Sequence, residues 1–278
     1  MKMKILFAAL IVLLCTSCAS RYMYSPSAHN VPVFTEQGDS KIGASYSTNA
    51  GEEDDNSGHG LDVQGAYAVT KHVAVQAGYS TRSEKTIDSN ANAYFDHSNI
   101  RYKRRMFEVG AGYFRSIHKR DKIFFAAYGG MGFGQFSFKD NGVDNNQLLY
   151  TRFHKANVTK YYLQPAVMFI NRGFVTSLAV RATLIDFNHI QTDYTAQELE
   201  ELKIDDISSN AYVFFEPAVI LSYQFKKLPG LRIECQGGFS AHLRVEDKYL
   251  SHKEANFSAG LVFDIPKLIK GIANNPKD

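Results

Sequence analysis

The sequence predicts an all-β chain: an antiparallel, up-and-down transmembrane β-barrel of about 10 strands, with short periplasmic turns and long outer loops. Three observations predict it. Alternating runs follow one another through most of the chain, those runs divide their residues into a charge-free face and a face holding the strand charges, and the connections between them alternate between tight turns and long polar stretches. Composition agrees. The 278 residues are 45% hydrophobic and 21% charged, which excludes a disordered tail. A mean hydropathy of −0.25, with no apolar run of about 18 residues, excludes a bundle of transmembrane helices. A net charge of +3 is too small and too evenly spread for nucleic-acid binding.

The chain opens with an export signal. Lys2 and Lys4 form a positive start, Ile5 to Leu14 an apolar stretch too short to span a bilayer, and small residues follow. Leu14-Cys15-Thr16-Ser17-Cys18 resembles the lipobox of bacterial lipoproteins, in which the cysteine is acylated and becomes the new N-terminus; here that is Cys18. Cys15 stands where the motif usually has Leu, and ordinary cleavage after Ala19 is the competing reading. Removing residues 1–17 takes away two lysines and no acids, so the charge falls from +3 to +1. Cys235 then remains alone, which leaves no disulfide framework.

After a proline-containing lead-in the strands are expected at 41–48, 59–69, 72–83, 105–117, 122–137, 159–170, 174–188, 210–225, 230–243 and 255–265. Most exceed the 5 or 6 residues usual in soluble proteins and reach the roughly 9–11 that a tilted membrane strand needs. One face reads Ile42, Ala44, Tyr46 in the first run, then Leu61, Val63, Gly65, Tyr67, and so on to Phe257, Ala259, Leu261, Phe263, without a charge. The other carries Lys41, Asp62, Gln64, Gln76, Glu108, Gln164, Arg181, Glu216, Arg232, Glu234, Gln236 and Asp264. Arginine or lysine facing lipid at the midplane costs about 2–4 kcal/mol, so the charge-free face is read as lipid-facing. Only 122–137 is ambiguous, with apolar, aromatic or glycine residues on both faces. Tyr46, Tyr67, Tyr79, Tyr113, Tyr161 and Tyr223 lie near the ends of the apolar faces, where a ring keeps its hydroxyl among headgroups. A β-sandwich is the competing architecture, although it would not need so many long strands or tyrosines.

Tight turns are expected at Thr70-Lys71, His118 to Asp121, Asn171-Arg172-Gly173 and Lys226 to Gly230, and long polar loops at 49–58, 84–104, 138–158, 189–209 and 244–254. An even strand count puts both termini on the turn side, so a lipid on Cys18 is expected in the inner leaflet of the same membrane. Pro165 and Pro217 cannot donate to a ladder, which predicts a bulge or a locally missing bond at each.

The pairs Leu163-Gln164-Pro165-Ala166-Val167 and Phe215-Glu216-Pro217-Ala218-Val219 repeat a polar residue before a proline. With the Asn30-Val31-Pro32 lead-in, the chain resembles the small outer-membrane β-barrel proteins of Bacteroidetes-type bacteria, many of them lipid-anchored. The resemblance covers residues 18 to about 265. It implies a fold and a place, the bacterial outer membrane, and leaves activity open. The expected organisation is a lipoprotein signal peptide (1–17), a lipid-anchored lead-in (18–40), the barrel (41–265) and a periplasmic tail (266–278).

The candidate lumen network is Glu108, Gln164, Arg181, Glu216, Arg232 and Glu234, polar groups expected to pair across a narrow lumen and fill it. Ten strands also resemble the omptin-type outer-membrane proteases, for which His59, Asp186, His189 and the Asp96-His97 pair would be rim candidates, but no omptin motif is present. The acidic Gly51 to Asn56 loop is read as solvated rather than Ca²⁺-binding, since it lacks spaced ligands. Ala196 to Leu202 is a candidate short helix that caps the barrel or meets a partner. Most of the nine histidines are read as solvated, and no zinc spacing, phosphate loop, nucleophile elbow or HExxH occurs, so no enzyme, metal or cofactor is expected. The leading expectation is a monomeric surface protein with a structural, adhesive or partner-binding role, its partners being outer-membrane lipid and other envelope proteins. A narrow channel or transporter for a small or amphipathic solute is second, and an outer-membrane enzyme of omptin or lipid-modifying type third.

Overall fold

A computed structural model describes residues 21–50, 57–88, 95–118, 121–144, 148–225, 228, 230–243 and 250–273. The signal segment, Cys18 and the acidic Gly51 to Asn56 loop lie outside the described residues. The strands are β1 (Ser40–Ala50), β2 (Ser57–Ala68), β3 (Val73–Asp88), β4 (Phe95–Ser116), β5 (Ile123–Asp144), β6 (Leu149–Asn171), β7 (Phe174–Thr192), β8 (Ala211–Gln224), β9 (Leu231–Phe239), β10 (Ala241–Leu243) and β11 (Ala255–Phe263). Neighbours in sequence pair antiparallel from β1 to β9, β9 pairs with β11, and β11 pairs with β1 from Ile42–Phe263 to Ala50–Ala255. That last ladder seals the sheet, and since β10 continues β9 along the same edge of β8, the ring has 10 strands.

Alternation decides which side of each strand faces in. Ile42, Tyr46, Leu61, Tyr67, Tyr79, Phe107, Tyr113, Leu163 and Phe257 are exposed on the outer surface, whereas Lys41, Asp62, Gln164, Arg181 and Glu216 are buried within. The expected faces therefore hold. The ambiguous fifth strand resolves with Phe124, Ala126, Tyr128, Phe136 and Phe138 inward.

β3 to β7 all run further than expected, β3 to Asp88 and β7 to Thr192, into stretches read as loops, and β4, β5 and β6 do so most. Most of 95–104 and 138–158, read as polar loops, is strand, with Lys139 opposite Arg101 and Phe153. The outward charges of this region suggested loop, but the inward parity continues through Ile100, Tyr102, Phe136 and Phe138, which are buried. These hairpins stand above the apolar belt with one face in water and one packed on the interior.

Both strand prolines interrupt a ladder without shifting it. β6 pairs with β7 at Leu163–Ala182 and again at Ala166–Ala179, leaving Gln164 and Pro165 out. β8 pairs with β9 from Ala218–Gly238 and with β10 from Phe215–Ala241, so the gap at Glu216 and Pro217 splits the expected 230–243 strand at Ser240. A locally missing bond, one of the two expected outcomes, is what each proline produces.

Residues Arg21–Phe34 are not a simple lead-in: they thread the lumen. Phe34 packs against Phe114 at the turn end, with centroids 5.6 Å apart. Arg21 reaches Asp140 in the upper part of the β4–β6 extension, with Nη2 2.7 Å from Oδ2. Fully extended at about 3.3 Å per residue, this stretch can reach at most roughly 45 Å, enough for a hydrocarbon core of about 30 Å. Nearly every residue in it is buried. Thr35 and Glu36 then turn on the Asp39 carboxylate, which accepts from the Thr35 and Glu36 amides at 2.6 and 3.1 Å, and the chain enters β1.

At the long-loop end, α1 (Ala196–Glu201) forms where a short helix was expected. Thr195 caps it, accepting from the Glu198 amide while Glu198 accepts from the Thr195 amide. Tyr194, Leu202, Ile204 and Ile207 fold down onto Tyr102, Phe138 and Phe214. At the turn end, α2 (Ile265–Ala273) leaves β11, and Lys267 Nζ lies 2.7 Å from Asp264 Oδ2.

Candidate functional site: the filled lumen

The lumen is stacked in three layers. The turn end is apolar, where Val31, Val33 and Phe34 of the thread meet Ala68, Phe114, Phe124 and Met168. The long-loop end is aromatic, where Met23 and Tyr24 meet Tyr102, Phe136, Phe138 and Phe214. Between them lies a polar layer, and the thread crosses all three.

Arg181 organises that middle layer. Its Nε and Nη2 both donate to Gln164 Oε1, at 2.9 and 2.7 Å, and its Nη1 lies 3.9 Å from Glu108 Oε2. Lys160 Nζ completes the charge on Glu108 at 2.7 Å. Glu216 stands opposite Arg181 in the β7–β8 register, yet its hydrogen bonds go elsewhere: Oε2 accepts from Thr183 Oγ1 at 3.0 Å and Oε1 from Tyr24 Oη at 2.6 Å. The repeated Gln-Pro and Glu-Pro segments thus flank β7 on either side of Arg181. Glu234 pairs with Lys41 at 3.0 Å, and Arg232 is buried apart from the network, opposite Val262 and Gln224 near the turns. Of the six candidates, Glu108, Gln164, Arg181 and Glu216 meet around the thread, while Glu234 and Arg232 do not join them.

Further pairs neutralise the wall. Arg82 Nη2 bridges both oxygens of Asp62 at 3.0 and 2.9 Å, and Arg104 Nη1 meets Glu84 at 2.5 Å. Charge taken out of water needs such partners, because an uncompensated buried ion costs several kcal/mol. Each of these cations is matched to an acid.

Close approach at β5 makes room for the layer. A Cβ at Gly130 would stand 2.6 Å from the Tyr162 ring and 2.2 Å from the Val109 carbonyl, so the glycine lets Tyr162 lie flat across the strand. Tyr162 Oη in turn accepts from Gln76 Nε2 at 2.9 Å.

The thread's own backbone is satisfied by the wall. Gln64 Nε2 donates to Ala28 O at 3.0 Å, Gln164 Nε2 to Asn30 O at 2.8 Å, and the His29 amide donates to Gln236 Oε1 at 3.1 Å. Near its top, the Met23 amide donates to Ser251 O at 2.8 Å and the Lys253 amide to Tyr24 O at 2.9 Å, so residues 250–253 dip in beside it. Asp140 closes the upper end, accepting from Arg21 and from Tyr194 Oη at 2.9 Å. Burial, followed by the Asp140 carboxylate, holds the Tyr194 hydroxyl well above the usual phenol range. A cavity of about 40 Å³ lies alongside Met23, Tyr24 and Lys160.

Sequence reasoning missed this plug. Arg21, Tyr24 and His29 fall in no periodic run, and the available signal was the apolar, proline-set composition of 21–34, unlike a solvated linker. His29, His154 and His252 are buried rather than solvated; His154 stacks on Phe138 at 5.3 Å. The protease candidates are not brought together. His59 and Asp186 sit on β2 and β7, on opposite sides of the ring, and His189 Nδ1 lies 2.7 Å from its neighbour's Asn188 Oδ1. The Asp96-His97 side chains lie outside the described residues. Among the described residues no cluster of three His, Cys, Asp or Glu is disposed around a metal position.

A closed antiparallel ring with an aromatic-rimmed apolar outside defines a transmembrane β-barrel. The chain belongs to the outer membrane protein beta-barrel domain family, whose pattern it matches over residues 8–201, which places it in the bacterial outer membrane. No curated protein matches it. Among solved structures it is similar to the translocator domain of the autotransporter NalP from Neisseria meningitidis (9% identity, 85% of this chain and 90% of that chain, TM-score 0.49). It is also similar to the outer membrane protease OmpT from Escherichia coli (9% identity, 84% and 99%, TM-score 0.44) and to the COG4313 outer membrane channel from Pseudomonas putida F1 (10% identity, 84% and 99%, TM-score 0.39).

Proposed function

We propose that this protein is a plugged outer-membrane barrel, closed to solutes, that serves as a structural, adhesive or partner-binding component of the cell surface. The observation that carries this reading is the occupation of the lumen from Phe34 to Arg21 by buried, hydrogen-bonded chain. The long-loop end, capped by α1, is the surface available to a partner. No reaction forms part of the proposal. Conductance of the intact protein in planar bilayers tests it: a silent bilayer containing folded barrels is expected, and reproducible conductance steps from the unaltered chain would establish the channel alternative instead.

Lipidation at Cys18, with residues 1–17 as signal and a Bacteroidetes-type kinship, belongs to the same proposal. The thread changes where the lipid would lie. Arg21 is bonded to Asp140 at the long-loop end, which supports a lipid at the outer surface rather than in the inner leaflet expected from turn-side termini. Labelled palmitate that incorporates into the wild type and not into Cys18→Ala supports the anchor; equal incorporation in both removes it.

A further inference from the structure

The outer wall carries a charged patch that the plugged lumen does not explain. Above the apolar belt, the outward positions of β3 to β6 bear Lys85, Arg101, Lys103, Arg105, Lys139 and Lys155. The ladder gathers them: Arg101 is opposite Lys85 on one side and Lys139 on the other, while Lys103 and Lys155 both face Ser137. Lys85, Arg101, Lys103, Arg105 and Lys139 are exposed and Lys155 is half-buried. None of the six has a carboxylate partner among the described residues. That contrasts with the lumen, where cations such as Arg82, Lys160 and Lys41 are each matched to an acid. From Thr81 to Ile87, Asn99 to Arg105, Gln135 to Asn141 and Thr151 to Asn157, the outward positions contain no acid at all.

Position gives the patch its meaning. Arg105 stands one outward step above Phe107, about 7 Å along the strand, and Phe107 shares its level with Tyr79 and Phe133 at the upper rim of the belt. The cations therefore begin where acyl chains end and headgroups start, on the long-loop leaflet. Cations clustered at this depth attract anionic headgroups, and arginine forks match phosphate oxygens.

We infer that this patch binds the phosphorylated headgroup of an outer-leaflet glycolipid, with Arg105 and Lys103 on the phosphate nearest the belt, Arg101, Lys85, Lys139 and Lys155 around the headgroup above, and the acyl chains on Phe107, Phe133 and Tyr79. The inference does not depend on the plug.

The test uses the full-length folded protein in detergent and native mass spectrometry with defined lipids: diphosphoryl lipid A, its dephosphorylated form, phosphatidylglycerol, and inorganic phosphate as a competitor. Diphosphoryl lipid A should bind at least about tenfold tighter than the dephosphorylated form, and the double variant Lys103→Glu/Arg105→Glu should lose that preference by about the same factor, while the turn-end control Lys71→Glu/Arg172→Glu keeps it. Equal binding of both lipid A forms, equal binding of phosphatidylglycerol, or displacement by inorganic phosphate at the lipid's own concentration would overturn the inference. So would a double variant that folds, by its heat-modifiable gel shift, and binds as the wild type does. Should that variant fail to fold, the lipid series on the wild type still decides.

Discussion

Arg181 donates two of its N–H groups to one atom, Gln164 Oε1, rather than to Glu216, the carboxylate that faces it directly across the β7–β8 ladder. Glu216 is released to hold Tyr24 of the thread, so a wall arginine and a plug tyrosine divide what would otherwise be a simple ion pair.

Arg181→Met removes the hub and leaves Glu108 with Lys160 alone. A loss of about 3–5 kcal/mol is expected, as for a buried pair stripped of one partner, against about 1–3 kcal/mol for Gln164→Leu, which removes a neutral acceptor. Denaturant unfolding followed by the heat-modifiable gel shift measures both, and the order Arg181→Met worse than Gln164→Leu is the outcome to check.

Removing residues 21–34 should open the barrel. The variant is expected to conduct in planar bilayers where the full chain is silent, with a lower unfolding midpoint because Glu216, Gln164 and Gln236 lose their partners. A folded but silent variant would mean that the wall collapses inward on its own.

Adjacent glycines on β5 should behave oppositely. Gly130→Ala drives a methyl against the Val109 carbonyl and Tyr162, an overpacking cost of about 1–3 kcal/mol, whereas Gly129→Ala meets nothing closer than 3.8 Å and should be near neutral.

Cys235 reports the lipid-facing side. It is exposed, unpaired by disulfide, and sits opposite Leu221 and Ala259 on the outer face. In proteoliposomes a lipid-soluble maleimide should label it and a charged maleimide should not; labelling by the charged reagent from either side would reverse the face assignment.

Alkali should loosen the plug's upper end. The Tyr194 hydroxyl is held above the ordinary phenol range when folded, so its contribution is complete below about pH 10 and is lost as pH rises beyond that. Protease release of the N-terminal segment should therefore increase above about pH 10 in the wild type, and Tyr194→Phe should flatten that rise.

The barrel was legible because each outward residue declares itself independently: a run such as Leu61, Val63, Gly65, Tyr67 needs no knowledge of its neighbours. The lumen was only half legible. Alternation placed Glu108, Gln164, Arg181 and Glu216 inside, but which groups pair depends on strand register and on an occupant from a segment with no period. Arg101, Lys103 and Arg105 hid the length of β4 for a similar reason: outward charge resembles loop until the inward Ile100 and Tyr102 are read with it. Pro165 and Pro217 were readable in advance because a missing N–H is local.

A filled ring also dictates an order of construction. Arg21–Phe34 precedes every described strand in the chain, yet its partners lie on β2, β5, β6, β8 and β9, and the ring seals only when β11, the last of those strands, joins β1. A segment bearing the Arg21 guanidinium and the Tyr24 ring cannot be pulled afterwards through an opening already packed by Phe114, Phe124 and Tyr128. The sheet must wrap around the thread as it curls, which makes the segment ahead of β1 the mandrel on which β11 is closed.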